Sequence, residues 1–250
     1  MDEKFWYLKR CDLFERLTSE QTAALERRSR SRTFDRGDLI YLPSDRNESV
    51  LLLTSGRVKI YHLTAEGKQA VLALVEPGEI FGELAVFGEG RREEFAETME
   101  KSTLVLIPGE AVRELMEQHP LVSMQVTRLM GLRRQQVERR LKSLLFRSNR
   151  ERLAFLLLEL AEKYGQPSSQ SILIGIRLSH QELANIIGST RETVTVLLGE
   201  LQAEGLIAVS RRQIILREPV RLAAIVGVDL PRIGEPHLVP RAVSHAPPRA

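Results

Sequence analysis

Two Ser-x-x-Glu patterns lie on either side of a glycine in the last third of the chain. Ser179 is followed by Glu182, and ten residues later Ser189 is followed by Glu192. This spacing is the capping box that begins an α-helix, because each of the two side chains accepts a hydrogen bond from the other residue's backbone N–H. Gly188 lies between the two patterns, where a tight turn requires positive φ. The pattern predicts two short helices joined by a tight turn, a helix-turn-helix.

The second of these helices begins with side chains that can read DNA bases. Its apolar positions from Val194 onward must face the core, so the polar side chains of its first turns cannot all do so. An arginine can donate two hydrogen bonds to O6 and N7 of guanine, and a glutamate can accept one from N4 of cytosine. Because a recognition helix presents its N-terminal side chains to the major groove, we predict a DNA interface here. Its residues are Ser179, His180, Ser189, Thr190, Arg191, Glu192 and Thr195. A helical hairpin with a solvated polar face is the alternative.

A β-hairpin is predicted to follow the second helix. Gly205 ends that helix, and residues 206–216 contain two short apolar segments around Ser210-Arg211-Arg212-Gln213. Arg211 and Arg212 would then lie at the tip of the hairpin, where they can contact phosphate groups.

The first half of the chain has the pattern of a small β-sandwich or barrel. Within residues 31–108, short segments rich in Val, Ile, Leu and Tyr alternate with glycines at intervals of about 8–12 residues. From Pro108 the pattern becomes helical. Ser148 or Asn149 is a candidate N-cap after a polar break, which predicts a hinge. A later helix is predicted to end at Gly165 in the left-handed conformation.

The long helical segment carries an apolar stripe that needs a partner. Met130, Arg134, Val137, Leu141 and Leu144 step by 4, 3, 4 and 3, which is a heptad seam with one polar residue. A helix of this length, rising about 1.5 Å per residue, extends beyond a small β-domain. We predict that a second copy of the helix covers the stripe. Packing back onto the chain's own β-domain is the alternative.

Composition argues against several other classes of protein. The single cysteine, Cys11, rules out an internal disulfide and a four-cysteine iron–sulfur cluster from one chain, and five scattered histidines argue against a zinc site. No apolar run approaches the roughly 20 residues of a membrane span, and the N-terminus is acidic, so a cytoplasmic protein without a membrane partner is expected. No nucleophile–base set is recognisable, so an enzyme is not expected. The net charge of +3, from 36 basic and 33 acidic residues, leaves nucleic-acid binding open.

The run from Pro77 to Phe87 (PGEIFGELAVF) and the run from Gly188 to Thr195 (GSTRETVT) resemble the cyclic-AMP receptor/fumarate–nitrate regulator (Crp/Fnr) family of bacterial transcription factors. The second run is most similar to the branch of the cyanobacterial global nitrogen regulator. The resemblance spans roughly residues 10–217. It implies an α+β chain with an N-terminal β-roll (a jelly roll of the cyclic-nucleotide-binding type), a long dimerisation helix and a C-terminal winged helix-turn-helix.

The resemblance assigns a role to each segment of the chain. Residues 1–109 are expected to form the β-roll sensor with N-terminal helices, 110–147 the dimerisation helix, 148–217 the winged helix-turn-helix, and 218–250 a mostly disordered tail that contains six of the eleven prolines. The expected partners are double-stranded DNA with a palindromic site, a second copy of the chain, and RNA polymerase. A sensor module that acts through protein contacts rather than DNA is the alternative.

Within the helix-turn-helix, the resemblance implies how DNA is read. Arg191 and Glu192 occupy the two positions that read a G·C-containing half-site in the family. Val196 stands where a basic residue commonly follows. One base contact is therefore expected to be lost, and the half-site need not match that of the cyclic-AMP receptor.

The effector pocket is expected to depart from that of the cyclic-AMP binders. In those proteins a Gly-Glu pair is followed about ten residues later by an Arg-Ser pair that takes the phosphate, whereas here Gly82-Glu83 is followed by Glu93-Glu94. Two carboxylates would repel a phosphate by roughly 1 kcal/mol or more per close pair. Cyclic AMP is therefore not expected to bind, unless a loop slip brings Arg92 into the pocket.

The Thr-Ser pair that meets adenine in the family is replaced by Val137-Glu138. The candidate pocket residues are Gly82, Glu83, Leu84, Arg92, Glu93 and Val137. Haem, held by His62 or His119, and 2-oxoglutarate are alternative effectors for which no supporting set of residues is recognisable.

Overall fold

The computed structural model describes residues 17–46, 48–87, 90–168, 171–211 and 213–230. The chain divides into two units, Met1–Leu141 and Lys142–Ala250. Three parts of the predictions lie outside the described residues. They are the N-terminal helices before residue 17, Arg212 at the wing tip and the tail beyond residue 230.

The first unit is built on two antiparallel four-stranded sheets, as predicted for a β-roll. One sheet has the strand order β1-β8-β3-β6 and the other β2-β7-β4-β5. The strands are β1 (Arg30–Phe34), β2 (Leu39–Tyr41), β3 (Ser49–Ser55), β4 (Val58–Leu63), β5 (Gln69–Val75), β6 (Ile80–Phe81), β7 (Phe95–Thr98) and β8 (Ser102–Pro108). Helix α1 (Ser19–Arg28) precedes them, and a 3₁₀ helix (Glu83–Phe87) follows β6.

Strand β3 connects the two hydrophobic clusters of this unit. Because successive side chains of a strand point to opposite faces, Val50 and Leu52 belong to one cluster and Leu51 and Leu53 to the other. The second cluster, which includes Phe81, fills the inside of the roll. The first cluster packs the outer face of the sheet against the helices that follow.

Two helices leave the β-roll. Helix α2 (Gly109–Gln118) is followed by the 27-residue helix α3 (Pro120–Phe146). Only Val122 and Val126 of α3 are buried, and both join the cluster that contains Val50 and Leu52. The buried residues of α3 therefore lie in its first two turns, and its apolar residues from Val137 onward are exposed.

The second unit begins with α4 (Asn149–Tyr164), and Ser148 is its N-cap. The Ser148 Oγ accepts a hydrogen bond from the Glu151 N–H at 3.3 Å, and the Glu151 carboxylate accepts one from the Ser148 N–H at 2.7 Å. This capping box settles the choice between Ser148 and Asn149. The predicted left-handed end at Gly165 is wrong, because φ there is −70°. A glycine is needed for close packing instead, since a Cβ would lie 2.1 Å from the Ala161 carbonyl oxygen.

A small sheet and three helices complete the second unit. The sheet has the order β11-β12-β10-β9. Its strands are β9 (Gly165–Ser168), β10 (Ser171–Ile174), β11 (Ile207–Ser210) and β12 (Gln213–Leu216), and the helices are α5 (His180–Ile187), α6 (Arg191–Ala203) and α7 (Pro219–Val226).

Helix α7 corrects the predicted start of the disordered tail. Pro219 lies in the first helical turn, where its missing N–H has no cost. Leu222 and Ala223 are buried, and the helix packs against α4. The proline-rich composition predicts a mostly disordered tail from residue 218 onward, but the first of those prolines begins a helix.

Candidate DNA interface and effector pocket

The first cap of the helix-turn-helix is the one predicted. The Glu182 N–H donates to the Ser179 Oγ at 3.2 Å, and the Ser179 N–H donates to the Glu182 carboxylate at 2.6 Å. Helix α5 ends at Gly188, whose φ of 67° and ψ of 47° are left-handed. The tight turn between the helices therefore forms as its glycine indicated.

The second predicted capping box is wrong by one residue. Helix α6 begins at Arg191, and its N-cap is Thr190, whose Oγ1 accepts a hydrogen bond from the Thr193 N–H at 3.2 Å. The Ser189 N–H instead donates to the Ala184 carbonyl at 3.0 Å. Ser189 thus completes the end of α5, because a left-handed glycine is followed by a residue that closes the preceding helix.

The polar face of α6 lies in solvent, and its apolar face is buried. Val194, Leu198 and Leu201 are buried, whereas the side chains of Arg191 and Glu192 are exposed. The pKa of the Glu192 carboxyl lies below its usual value, first because it bonds its own backbone N–H and then because of the Thr190 hydroxyl. Glu192 is therefore a carboxylate at neutral pH, which is the acceptor that cytosine N4 requires.

Two other predicted interface residues contact each other across the two helices. The Nδ1 of His180, at the start of α5, lies 2.8 Å from the Thr195 Oγ1. The same hydroxyl donates to the Arg191 carbonyl at 2.9 Å. Arg152 also supports this arrangement, since its Nη1 donates to the Ile187 carbonyl at the end of α5, at 2.9 Å.

The predicted wing is the hairpin of β11 and β12. The strands pair from Ile207 with Leu216 to Ser210 with Gln213. Arg211 follows Ser210 at the tip, exposed and with a positive φ of 46°. A cation at an exposed wing tip is placed as phosphate contact requires.

In the β-roll, Glu83 already has a partner in this chain. Arg133 of α3 forms an ion pair with the Glu83 carboxylate and donates a hydrogen bond to the Ile80 carbonyl. Glu83 is largely buried. Sequence reasoning missed Arg133, although it lies four residues before Val137 and so on the same face of the helix.

Arg92, and not Glu93, lies against Gly82. The Arg92 side chain is 7% exposed, its Nη2 donates to the Ser49 carbonyl at 2.6 Å, and its guanidinium lies 4.4 Å from the centre of the Tyr41 ring. A Cβ on Gly82 would be 2.3 Å from the Arg92 Nη1, so the glycine makes room for this arginine. The structure thus shows the alternative in which Arg92 enters the pocket, and the predicted place of Glu93 there is wrong, because Glu93 is exposed.

The charges around Arg92 are unfavourable for an anionic ligand. Burial lowers the pKa of Arg92, and the carboxylates of Glu94, Glu83 and Asp45 act in the opposite direction. Glu94 also accepts a hydrogen bond from the Tyr41 hydroxyl at 3.0 Å. The charge of the buried Arg92 is therefore balanced by carboxylates of its own chain, one of which, Glu83, is also paired with Arg133.

The other candidate effector residues are not gathered into a buried site. Leu84 and Val137 are both exposed. His62 is exposed as well, and the Nε2 of His119 lies 2.6 Å from the Gln21 side-chain nitrogen, so neither histidine is presented in a cavity as a haem ligand. No group of three or more metal-ligating side chains occurs among the residues that the structure describes.

The apolar seam on α3 divides into a packed end and an exposed end. Met130 packs against the cluster of the β-roll, so it belongs in part to the chain's own core, contrary to its predicted place in the seam. Val137, Leu141 and Leu144 are 65%, 53% and 49% exposed.

No helix in the described part of the chain is both long and apolar enough to span a membrane.

Comparison with known proteins gives the same two domains. Residues 31–119 match the model of the cyclic nucleotide-binding domain, and residues 151–225 match that of the Crp-like helix-turn-helix domain. The "Global nitrogen regulator" of Synechocystis sp. is 33% identical over 193 residues, which are 76% of this chain and 86% of that protein. The "CRP-like cAMP-activated global transcriptional regulator" of Mycobacterium tuberculosis is 27% identical over 89% of this chain and 98% of its own length.

A solved structure shows the same architecture. A CooA mutant from Carboxydothermus hydrogenoformans superposes with a TM-score of 0.74 at 27% sequence identity, over 86% of this chain and 95% of that one. Fold and site together define a transcription regulator with an N-terminal sensor domain of the cyclic-nucleotide-binding type and a C-terminal helix-turn-helix DNA-binding domain. The chain belongs to the Crp/Fnr family.

Proposed function

We propose that this chain binds a palindromic DNA site as a homodimer and reads each half-site with Arg191 and Glu192 at the start of α6. The observation that carries this proposal is the exposure of both side chains on a helix whose opposite face is buried. Arg191 would donate to a guanine, and the Glu192 carboxylate would accept from a cytosine. Arg211 at the wing tip would contact phosphate.

The dimer is formed by the exposed end of the seam on α3. Val137, Leu141 and Leu144 follow a heptad spacing, and leaving three such side chains in water forgoes the free energy that their burial would contribute. A second copy of α3 presents the same side chains, so the interface is self-complementary. The two recognition helices of such a dimer must meet major grooves about 34–36 Å apart.

The β-roll acts as the sensor of this regulator, and cyclic AMP is not its effector. Glu83 is held by Arg133, and Arg92 is held by Ser49 and Tyr41, so both groups that could bind a cyclic nucleotide have partners inside the chain. An effector must bind the two states of the dimer differently in order to change DNA binding. The regulator acts in the cytoplasm by binding rather than by catalysis, with RNA polymerase as the partner of the DNA-bound dimer.

Binding-site selection on the wild type and on two variants tests the readout. Arg191→Ala should lose about 1–3 kcal/mol of discrimination at one base pair of each half-site, while nonspecific binding survives. Arg211→Ala is the matched control for a phosphate contact. The Arg211→Ala variant should select the same consensus and bind all sequences with equally reduced affinity. It should also lower the slope of log affinity against log salt by about one unit per subunit.

The selected sequences decide between the proposal and its alternative. If Arg191→Ala selects the wild-type consensus with equal stringency, the recognition helix is misplaced. If the wild type selects no consensus at all, the chain acts through protein contacts instead.

A further inference from the structure

The Thr195 hydroxyl on α6 makes two hydrogen bonds inside the domain. A carbonyl oxygen only accepts, so the hydroxyl must donate its one hydrogen to the Arg191 carbonyl, at 2.9 Å. Its oxygen then accepts from the Nδ1–H of His180, at 2.8 Å. No hydrogen is left to donate to a base. This exposed side chain can therefore offer a partner only one lone pair of its oxygen and its methyl group, and the methyl group is its apolar part.

The next residue adds apolar surface to the same part of the helix. Val196 is 60% exposed, although the helix has a buried face at Val194 and Leu198 on which a valine could pack. It lies four residues after Glu192, so the two side chains are neighbours on the outer face. An apolar side chain thus stands next to the carboxylate that is predicted to read a base.

Gly199 leaves one position on the exposed face of α6 without a side chain. It lies four residues after Thr195, and a Cβ built on it would meet nothing within 4 Å. The fold therefore does not require a glycine here, where it destabilises the helix interior by about 1 kcal/mol relative to alanine. A missing side chain lets another molecule approach the helix backbone closely.

We propose that α6 recognises the 5-methyl group of a thymine through the Thr195 methyl group and Val196. Thymine is the base that offers a methyl group in the major groove, and apolar contact is the way proteins read it. His180 is a positioning residue, since its hydrogen bond holds the Thr195 hydroxyl away from the groove. The inference rests on the proposed DNA binding and names a feature of the half-site.

The test compares thymine with uracil, which differs from it only by that methyl group. Starting from the selected palindrome, each thymine of the half-site is replaced by deoxyuridine in both half-sites together. For the wild-type chain, one position should lose affinity by about fourfold per half-site, or about 15-fold for the dimer, as burial of one methyl group predicts. The other thymines should show no such loss.

Thr195→Ser is the matched variant, because it removes the methyl group and keeps the hydroxyl with both of its hydrogen bonds. It should lower the thymine-to-uracil ratio at that position, leaving only the part that Val196 contributes, and should still discriminate the Arg191-dependent base pair. Val196→Ala should reduce the thymine-to-uracil ratio without abolishing it.

Two substitutions of His180 separate positioning from folding. His180→Ala releases the Thr195 hydroxyl and should lower the thymine-to-uracil ratio, whereas His180→Asn keeps an N–H donor and should restore it. A general structural role would change affinity for both sites alike and leave the ratio constant.

Several results would overturn the inference. These are a selected half-site without thymine, equal binding of thymine and uracil at every position, and a Thr195→Ser variant that keeps the wild-type ratio. Each of them leaves the proposed DNA binding standing. Loss of all sequence preference in the wild type would instead remove the proposed function, and the inference with it.

Discussion

The start of α6 and the part of the β-roll around Glu83 and Arg92 both carry charged residues, and these residues are used in opposite ways. In the helix-turn-helix, Ser179 and Gly188 cap the two ends of α5, and Thr190 caps the start of α6. The side chains of Arg191 and Glu192 are not needed as caps and remain in solvent. In the β-roll, Glu83 is paired with Arg133 of α3, and the buried Arg92 donates to the Ser49 carbonyl. A charge that enters a protein interior must find a partner there, whereas an exposed one remains available to a second molecule.

This difference explains why the family resemblance carries more weight for DNA than for the effector. The caps of α5 and α6 are made by side chains other than the base readers, so the readers can retain the family's chemistry. In the β-roll, the residues that could bind an effector also neutralise each other. There, Glu83 is paired with Arg133, so a substitution of either residue leaves the other without its opposite charge.

The largest expected effect concerns the exposed seam. Val137→Asp places a carboxylate in the proposed helix pair, where an unpaired charge costs about 3–5 kcal/mol, so dimerisation and affinity for a palindromic site should fall by more than about 100-fold. Sedimentation and DNA-binding titrations measure the two losses. Gln135→Asp, two residues earlier and roughly on the opposite face of α3, is the control and should leave both unchanged. A Val137→Asp variant that remains dimeric would place the seam elsewhere.

A second prediction compares the two regions directly through one arginine in each. Arg133→Ala leaves the Glu83 carboxylate largely buried without its ion pair, so the free energy of unfolding should fall by about 1–3 kcal/mol. Arg191→Ala removes an exposed side chain and should change the free energy of unfolding by less than about 0.5 kcal/mol. Denaturant titrations measure both. The double variant Arg133→Ala with Glu83→Gln should recover part of the loss, and equal effects of the two arginines would erase the contrast.

A smaller effect distinguishes the two possible caps of α6. Thr190→Ala removes the hydroxyl that accepts from the Thr193 N–H and should cost about 1 kcal/mol of stability. Ser189→Ala should cost less than about 0.5 kcal/mol, because the hydrogen bond of Ser189 is made by its backbone N–H. The reverse order of the two variants in thermal or denaturant unfolding would restore the capping box of Ser189 with Glu192.

The smallest expected effect is that of cyclic AMP, which should be zero. Millimolar cyclic AMP should neither raise the melting temperature nor increase DNA affinity, because Arg92 is held by Ser49 and Tyr41 and Glu83 is paired with Arg133. A ligand that binds only the folded state must raise the melting temperature. Saturable binding of cyclic AMP at micromolar concentration, measured by calorimetry, would show that the pairing in the pocket opens to admit a phosphate.

Much of the fold was predictable because it depends on local patterns. The alternation of β3, the spacing of α3 and the turn at Gly188 each follow from side-chain period or backbone freedom within a few residues. Errors occurred where neighbouring elements compete for one residue. Ser189 could cap α6 or close α5, and the spacing to Glu192 did not reveal that its backbone N–H bonds to Ala184.

The sequence by itself determined that the chain has a β-rich half, a long helix with an apolar seam, and a helix-turn-helix whose second helix begins with Arg191 and Glu192. These features are local, since each is set by the periodicity of apolar residues, by glycine or by capping side chains. Only the tertiary structure decided which charges meet. Arg133 reaches Glu83 from 50 positions away in the chain, and Arg92 lies against Gly82 and Ser49. Such pairs depend on how separate elements pack, and the burial that makes them strong exists only after packing.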